Sequence, residues 1–364
     1  MHILVLLTDF LDAVGGIQTF NRSLIKVLDE IAEEKDYKLT ILVLNQKQKS
    51  ALERSYINHS KTSYQIFARN KFKFIIKSLL LSRQADLIVL GHINFSSLAI
   101  FMKVLNNKAK FFLIIYGMEV WYKLSIVKQL ALIVINNIIS VCKHAREQLL
   151  KNNKLSQSRF FIIPCTLDPL YGKVENVSKS STILKLPEGK VILTVSRLDI
   201  KEPFKGIDRV IKSMQLVLKQ IPDSLCVIVG DGTARSSLEQ LACDCKVDNR
   251  VLFVGAVSDD ILSIYYQSCD IFVLPHPGIV FLEAMYYSKP IVSTNDREIP
   301  EIVEDGKTGL LCEPNNVSAL ATSMITLLSD KKLRYSLGNA GRIKFENEFT
   351  IVKFKDNVRK ALAL

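Results

Sequence analysis

The chain has 364 residues, more than a single core usually serves, so two domains are expected. Its 48% apolar and 23% charged residues fit a globular protein and exclude a disordered or fibrous one. The net charge is +12, and residues 1–170 carry 23 Lys/Arg against 12 Asp/Glu, so nearly all the excess lies in the first half. That asymmetry fits a surface that meets phosphates, or simple compositional drift.

The opening MHILVLLTDF is too short in its apolar part for a secretory leader, and Asp9 and Asp12 follow at once. Its HILVLLT reads as a first strand. LTILVLN, YQIFA, DLIVLGH, KFFLIIYG, NIISVC and FFIIPC read as further strands. Between them lie amphipathic stretches, one with Ile17, Phe20, Leu24, Val27 and Ile31 on a single face. RNKFKFIIKSLLLSR interleaves Arg69, Lys71, Lys73, Lys77 and Arg83 with Phe72, Phe74, Ile75 and Ile76. One face of that helix can pack on a sheet, and the other suits solvent or anionic headgroups. The most apolar run, LALIVINNIISV, contains two asparagines and falls well short of the roughly 20 residues a bilayer needs.

LDPLYGKVENVSKSSTILKLPEGK breaks the rhythm and reads as a linker. Strands resume at VILTVSRL, LCVIVGDG, VLFVG, CDIFVLP and PIVST, with Ile207, Val210, Ile211, Met214 and Leu218 on one helix face. Two basic helices, KKLRYSLGNAGRIKF and IVKFKDNVRKALA, close the chain. Near-continuous apolar strands alternating with helices indicate parallel sheets covered on both sides. The expected architecture is α/β: two tandem Rossmann-like doubly wound domains, residues 1–168 and 169–345, facing an interdomain cleft. The final helix, about 345–364, is expected to pack back on the first domain. The seven cysteines follow no framework spacing, and the Cys243–Cys245 pair lacks a second pair. Reduced cytosolic thiols are expected, and no metal site.

Open sheets bind ligands at the carboxyl ends of their strands. Gly15 and Gly16 precede a helix there, where backbone N–H groups can approach an anion or simply make a turn. His92 and the group Tyr116, Gly117 and Glu119 end two neighbouring strands, in structural or catalytic roles. Arg197 stands at a strand tip and Lys205 eight residues on, before Gly206 and a helix. A guanidinium forks onto two phosphate oxygens and an ammonium adds a point charge, provided the loop folds back. Gly230 and Gly232 allow a tight turn under a ligand, with Asp231 a turn residue. The backbone at Ala256 and Val257 suits a nucleobase edge. Glu283 follows Gly278, Ile279 and Val280 at a helix start, as a ribose acceptor or a helix-dipole carboxylate.

In this order, VSRL…KG, GDG, FVG, LP…GIVFLEAM…KPIV and IPEIVEDGKTGLL resemble the second domain of retaining glycosyltransferases of family four, with the GT-B fold. GGIQTFNRSL and YGMEVW resemble the first domain. The resemblance implies transfer of a sugar from a nucleotide diphosphate sugar, of UDP or GDP type, with retained configuration and no metal or other cofactor. It implies an acceptor domain followed by a nucleotide-sugar domain. Arg197 and Lys205 would hold the diphosphate, with Gly15 and Gly16 near it, and Glu283 would bind the ribose, preceded by the backbone of Gly278–Val280. Tyr116 and Glu119 join them as catalytic candidates, and Gly230, Ala256 and Val257 as donor-binding ones.

Three departures stand out. The family's first acid should stand eight residues before Glu283, where this chain has Pro275. Either that loop is short or the sequence lacks residues there. Tyr116 replaces the frequent histidine, and Arg297 and Glu298 replace two usual glycines. The acceptor is expected to be a glycan or a lipid-linked one, at the inner face of the cell membrane and against anionic lipid. A nucleic-acid partner is not expected, since it leaves the second-domain loops unexplained. The rivals are a catalytically impaired partner subunit, motivated by Pro275, and a nucleotide-sugar epimerase of the same fold.

Overall fold

The computed structural model describes residues 1–12, 15–153, 155, 159–172, 189–202 and 205–364. By its internal contacts the chain divides into two units: Met1–Tyr171 with Phe349–Leu364, and Gly172–Glu348. Most of the expected linker, residues 173–188, lies outside the described residues.

In the first unit, β1 (His2–Leu7), β2 (Lys38–Val43), β3 (Thr62–Ile66), β4 (Leu87–Leu90), β5 (Lys110–Ile115), β6 (Asn137–Ser140) and β7 (Phe160–Ile162) form one sheet. Its order is β3-β2-β1-β4-β5-β6-β7, and every pairing is parallel. The connections carry α1 (Gly16–Lys35), α2 (Glu53–Tyr56), α3 (Lys71–Ser82), α4 (Ser96–Leu105), α5 (Ile126–Val134) and α6 (Lys143–Asn152). Both faces are covered, as the apolar runs require. Ile3, Val5 and Leu7 pack with Phe20, Leu24 and Ile31 of α1. Leu4 and Leu6 pack with Phe74, Ala99 and Met102 of α3 and α4 on the other side.

In the second unit, β8 (Val191–Val195), β9 (Leu225–Val229), β10 (Val251–Gly255), β11 (Ile271–Val273), β12 (Ile291–Thr294) and β13 (Gly309–Cys312) form a parallel sheet of order β10-β9-β8-β11-β12-β13. Its helices are α7 (Ile207–Gln220), α8 (Arg235–Asp244), α9 (Asp259–Ser268), α10 (Val280–Tyr286), α11 (Ile299–Ile302), α12 (Val317–Ser329) and α13 (Lys331–Glu348). The strand pattern in the sequence missed β13, whose four residues sit inside a charged loop. At the amino end of this sheet Arg334 donates to the carbonyls of Leu327 and Leu328 at 2.7 and 2.6 Å, and its Nη2 lies 3.1 Å from Asp270 Oδ1. Asp270 Oδ2 in turn accepts from the Val191 N–H at 3.0 Å, fixing the start of β8.

The last helix, α14 (Ile351–Leu362), belongs to the first unit. Phe354, Val358, Ala361 and Leu362 form its buried stripe, and Phe354 meets Phe20 of α1 edge to face at 5.1 Å. Lys355 reaches Glu30 and Glu34 at 2.8 Å, and Arg359 also pairs with Glu34. Among the described residues no helix is long and apolar enough to cross a membrane, and no group of side chains could hold a metal ion.

Candidate functional site

The centre of the second sheet is β8, with β9 and β11 on either side. Its loop lies over the end of β9: Ser196 N–H donates to Val229 O, and Leu198 N–H to Asp231 O, both at 3.0 Å. Gly230 and Gly232 make this approach possible. A Cβ on either would stand 1.9 Å from Ser196 O or 2.3 Å from Leu198 O, and their φ values are 129° and 154°. These glycines therefore serve backbone-to-backbone packing, where the sequence alone suggested a turn beneath a ligand.

Two further turns fold the loop back. Glu202 N–H donates to Asp199 O at 2.8 Å, and Lys205 N–H to Glu202 O at 3.2 Å. The Thr233 hydroxyl donates to Asp199 Oδ1 at 3.1 Å and accepts from the Ile200 N–H at 3.1 Å. As a result Arg197 and Lys205 meet on one anion. Arg197 Nη2 donates to Glu202 Oε1 at 2.8 Å, and Lys205 Nζ lies 2.8 Å from Glu202 Oε2. The Arg197 side chain is 63% exposed, while those of Lys205 and Glu202 are 17% and 21% exposed. They line a depression of about 260 Å³ with Leu198, Gly206 and Ser237. Gly206, at φ 75°, then opens α7.

The neighbouring strand ends add groups that sequence spacing did not single out. β11 joins α10 through residues 274–279. Here Pro275 is followed by His276, whose imidazole is pushed down to about 4, chiefly by burial and then by the charges of Arg297 and Lys205, against opposing effects of the Pro277 backbone and Glu202. His276 is thus neutral near pH 7 and feels the two-cation loop. The sequence signal was a lone histidine between prolines at a strand end. Arg297 follows β12 in the left-handed region, at φ 55°, with its Nε 3.3 Å from Asp296 Oδ2.

Glu283 lies in the first turn of α10. Burial raises its carboxyl to about 7, a hydrogen bond with Tyr266 opposes the rise, and Asp259 adds to it. Its Oε2 is buried without a hydrogen-bond partner among the described residues. Its field thus comes from α9 and not from the Arg197–Lys205 pair. The carbonyls of Gly278 and Ile279 accept from Phe281 and Leu282 at 3.1 and 2.8 Å, and Val280 O lies 3.3 Å from the Tyr266 hydroxyl. At the end of β10, Ala256 is exposed and Val257 half-buried.

In the first unit the ends of β4 and β5 do meet. The His92 and Tyr116 rings stack with centroids 6.3 Å apart. The Tyr116 hydroxyl lies 2.9 Å from Asn21 Oδ1 and 3.2 Å from Gly91 O, and burial holds its pKa well above 10. Asn21 is itself buried and donates to Asp9 O at 2.7 Å. It was legible only as one polar residue on the apolar face of α1. Glu119 accepts the backbone N–H groups of Tyr116 at 2.5 Å and Gly117 at 3.0 Å, so it shapes the loop. His92 Nδ1 accepts from Asn94 N–H at 3.1 Å, and burial lowers its pKa. Gly15 caps α1 with extended backbone, and among the described residues nothing lies within 4 Å of a Cβ placed on Gly16.

Comparison with known proteins fits this arrangement. Residues 178–344 match the family model Glycosyl transferases group 1. A GDP-mannose-dependent alpha-(1-6)-phosphatidylinositol monomannoside mannosyltransferase of Mycobacterium tuberculosis is 32% identical over 169 residues, 43% of this chain and 43% of that protein. Sulfoquinovosyl transferase SQD2 of Arabidopsis thaliana is 31% identical over 167 residues, 44% of this chain and 31% of that protein. The chain thus spans less than half the length of these curated relatives. Among solved structures, Anabaena Alr3699/HepE in complex with UDP covers 100% of both chains with a TM-score of 0.76 at 20% identity. That likeness shows the fold, which is GT-B.

Proposed function

We propose that this GT-B chain, whose second unit is a glycosyltransferase domain of group 1, moves a sugar from a nucleotide diphosphate sugar to a glycan or lipid-linked acceptor. The observation that carries the reading is the convergence of Arg197 and Lys205 on a single anion, each at 2.8 Å. As the bond between the anomeric carbon and the phosphate oxygen breaks, charge grows on the leaving diphosphate. Two preset cations stabilise that charge where it develops. They supply the neutralisation for which other enzymes recruit a divalent metal, which supports a metal-independent reaction.

Glu283, ionised, accepts two ribose hydroxyls, and the backbone at Gly278–Val280 flanks it. Ala256 and Val257 lie along the base. In the first unit Gly15 and Gly16 leave a helix start open to an anion, and His92 and Tyr116 border the acceptor. Retention follows if the leaving diphosphate takes the acceptor's proton on the face it departs from while the acceptor oxygen bonds to the anomeric carbon. The mycobacterial relative's GDP-mannose and the Anabaena protein's UDP support a nucleoside diphosphate of one of these types.

The first unit also supports an acceptor at an anionic membrane surface, on its cytoplasmic side. On α3, Phe72, Ile76 and Leu80 are exposed, as are Phe101 and Val104 of α4 and Ile126, Leu130 and Ile133 of α5. α4 packs against both α3 and α5. Lys71, Lys73, Lys77, Lys103 and Lys128 belong to the same three helices.

A thermal-shift panel of UDP, GDP, ADP and their sugars tests the reading. A ligand at 100 times its dissociation constant stabilises by about 2.7 kcal/mol. No response to any of them removes the donor assignment. Binding without turnover favours the impaired partner subunit that Pro275 suggests.

A further inference from the structure

The two cations assigned to the donor diphosphate already hold an anion supplied by the chain. Glu202 gives one oxygen to each: Oε1 to Arg197 and Oε2 to Lys205, both at 2.8 Å. Arg197 donates a hydrogen bond to one oxygen and the Lys205 ammonium faces the other as an ion pair, so two oxygens on one carbon meet the two cations as two oxygens on one phosphorus would. Both distances are in the charge-assisted range. Lys205 and Glu202 are mostly shielded from solvent, so this is more than a loose surface pair. The backbone of Glu202 is fixed at both ends, its N–H on Asp199 O and its C=O on the Lys205 N–H. The movable part is therefore the side chain.

We propose that the Glu202 carboxylate stands in for a phosphate of the donor. It keeps Arg197 and Lys205 converged, is displaced when the nucleotide enters, and competes for the same two cations when the nucleoside diphosphate product leaves. The inference rests on the diphosphate reading of these cations. A carboxylate and a phosphate cannot share the two donors without like-charge repulsion, so the two anions alternate. The charge at 202 thus limits how tightly the product is held. A merely structural Glu202, backing the cations while phosphate binds beside it, makes the opposite prediction: removing it loosens the site.

Isothermal titration of UDP, GDP, ADP and inorganic pyrophosphate against the full chain, Glu202→Gln and Glu202→Ala tests this. Measurements are made at two salt concentrations, with circular dichroism as a check on folding. Glu202→Gln is nearly isosteric and keeps acceptor capacity. It is expected to bind pyrophosphate, and whichever nucleotide the unaltered chain binds, about tenfold tighter. Its salt dependence should steepen, because one more positive charge is left to the ligand. Glu202→Ala should tighten in the same direction. Equal or weaker binding in both variants overturns the proposal and makes Glu202 a positioning residue. Tighter pyrophosphate with no nucleotide bound keeps the stand-in role and removes the nucleotide reading. No binding by any form removes both.

Discussion

The Tyr116 hydroxyl lies 2.9 Å from Asn21 Oδ1, joining the end of β5 to the first turns of α1 beneath the His92 ring. Because Asn21 is buried, Tyr116→Phe leaves its amide oxygen without that donor. The expected cost is about 1–3 kcal/mol of stability. Denaturant titration of the variant checks it, and nucleotide binding, assigned to the second unit, should stay unchanged.

Arg197→Ala and Lys205→Ala should each remove most of the nucleotide-induced rise in unfolding midpoint. Each leaves one cation where charge-assisted hydrogen bonds need two. A full-sized shift in both variants contradicts their assignment.

Glu283 gives a pH signature. Its carboxyl is raised to about 7, so the folded state binds a proton that the unfolded state releases near 4.5. The contribution to stability is present below about 4.5 and is lost as pH rises through 7, by about 3 kcal/mol in all. Glu283→Gln should therefore stabilise the chain above pH 7. Nucleotide affinity has the opposite slope, since ribose needs the carboxylate: it should climb from pH 6 to 7 and flatten above. An identical pH profile in Glu283→Gln speaks against the ribose role.

Arg297 sits at φ 55°, which suits glycine better than arginine. Arg297→Gly should gain up to about 1 kcal/mol from relieved backbone strain, measured by chemical denaturation. It also removes a positive charge that lowers His276, so the imidazole pKa should move up from about 4, as read by proton NMR.

Sedimentation with vesicles tests the α3–α5 surface. Anionic vesicles should carry the chain down and neutral ones should not. Replacing Lys71, Lys73 and Lys77 by Gln should weaken binding by about 1 kcal/mol per residue. Equal, negligible binding to both vesicle types ends the membrane reading.

The α/β class and nearly every strand were readable from the chain, because strands buried on both faces of a parallel sheet must be continuously apolar. β13 escaped since Gly309–Cys312, half-buried at Leu310 and Leu311, does not stand out from its charged loop. The order of strand-end loops likewise pointed to Arg197, Lys205 and Glu283 as site candidates. What each side chain faces was decided only in three dimensions. Nothing in the sequence singled out Glu202, whose carboxylate two backbone turns place between Arg197 and Lys205. Asn21 and His276 gained their partners the same way, from neighbours far along the chain. Periodic burial is a local property and is written in local sequence. The convergence of charges depends on loop turns and adjacent strands, and only the folded chain sets those distances.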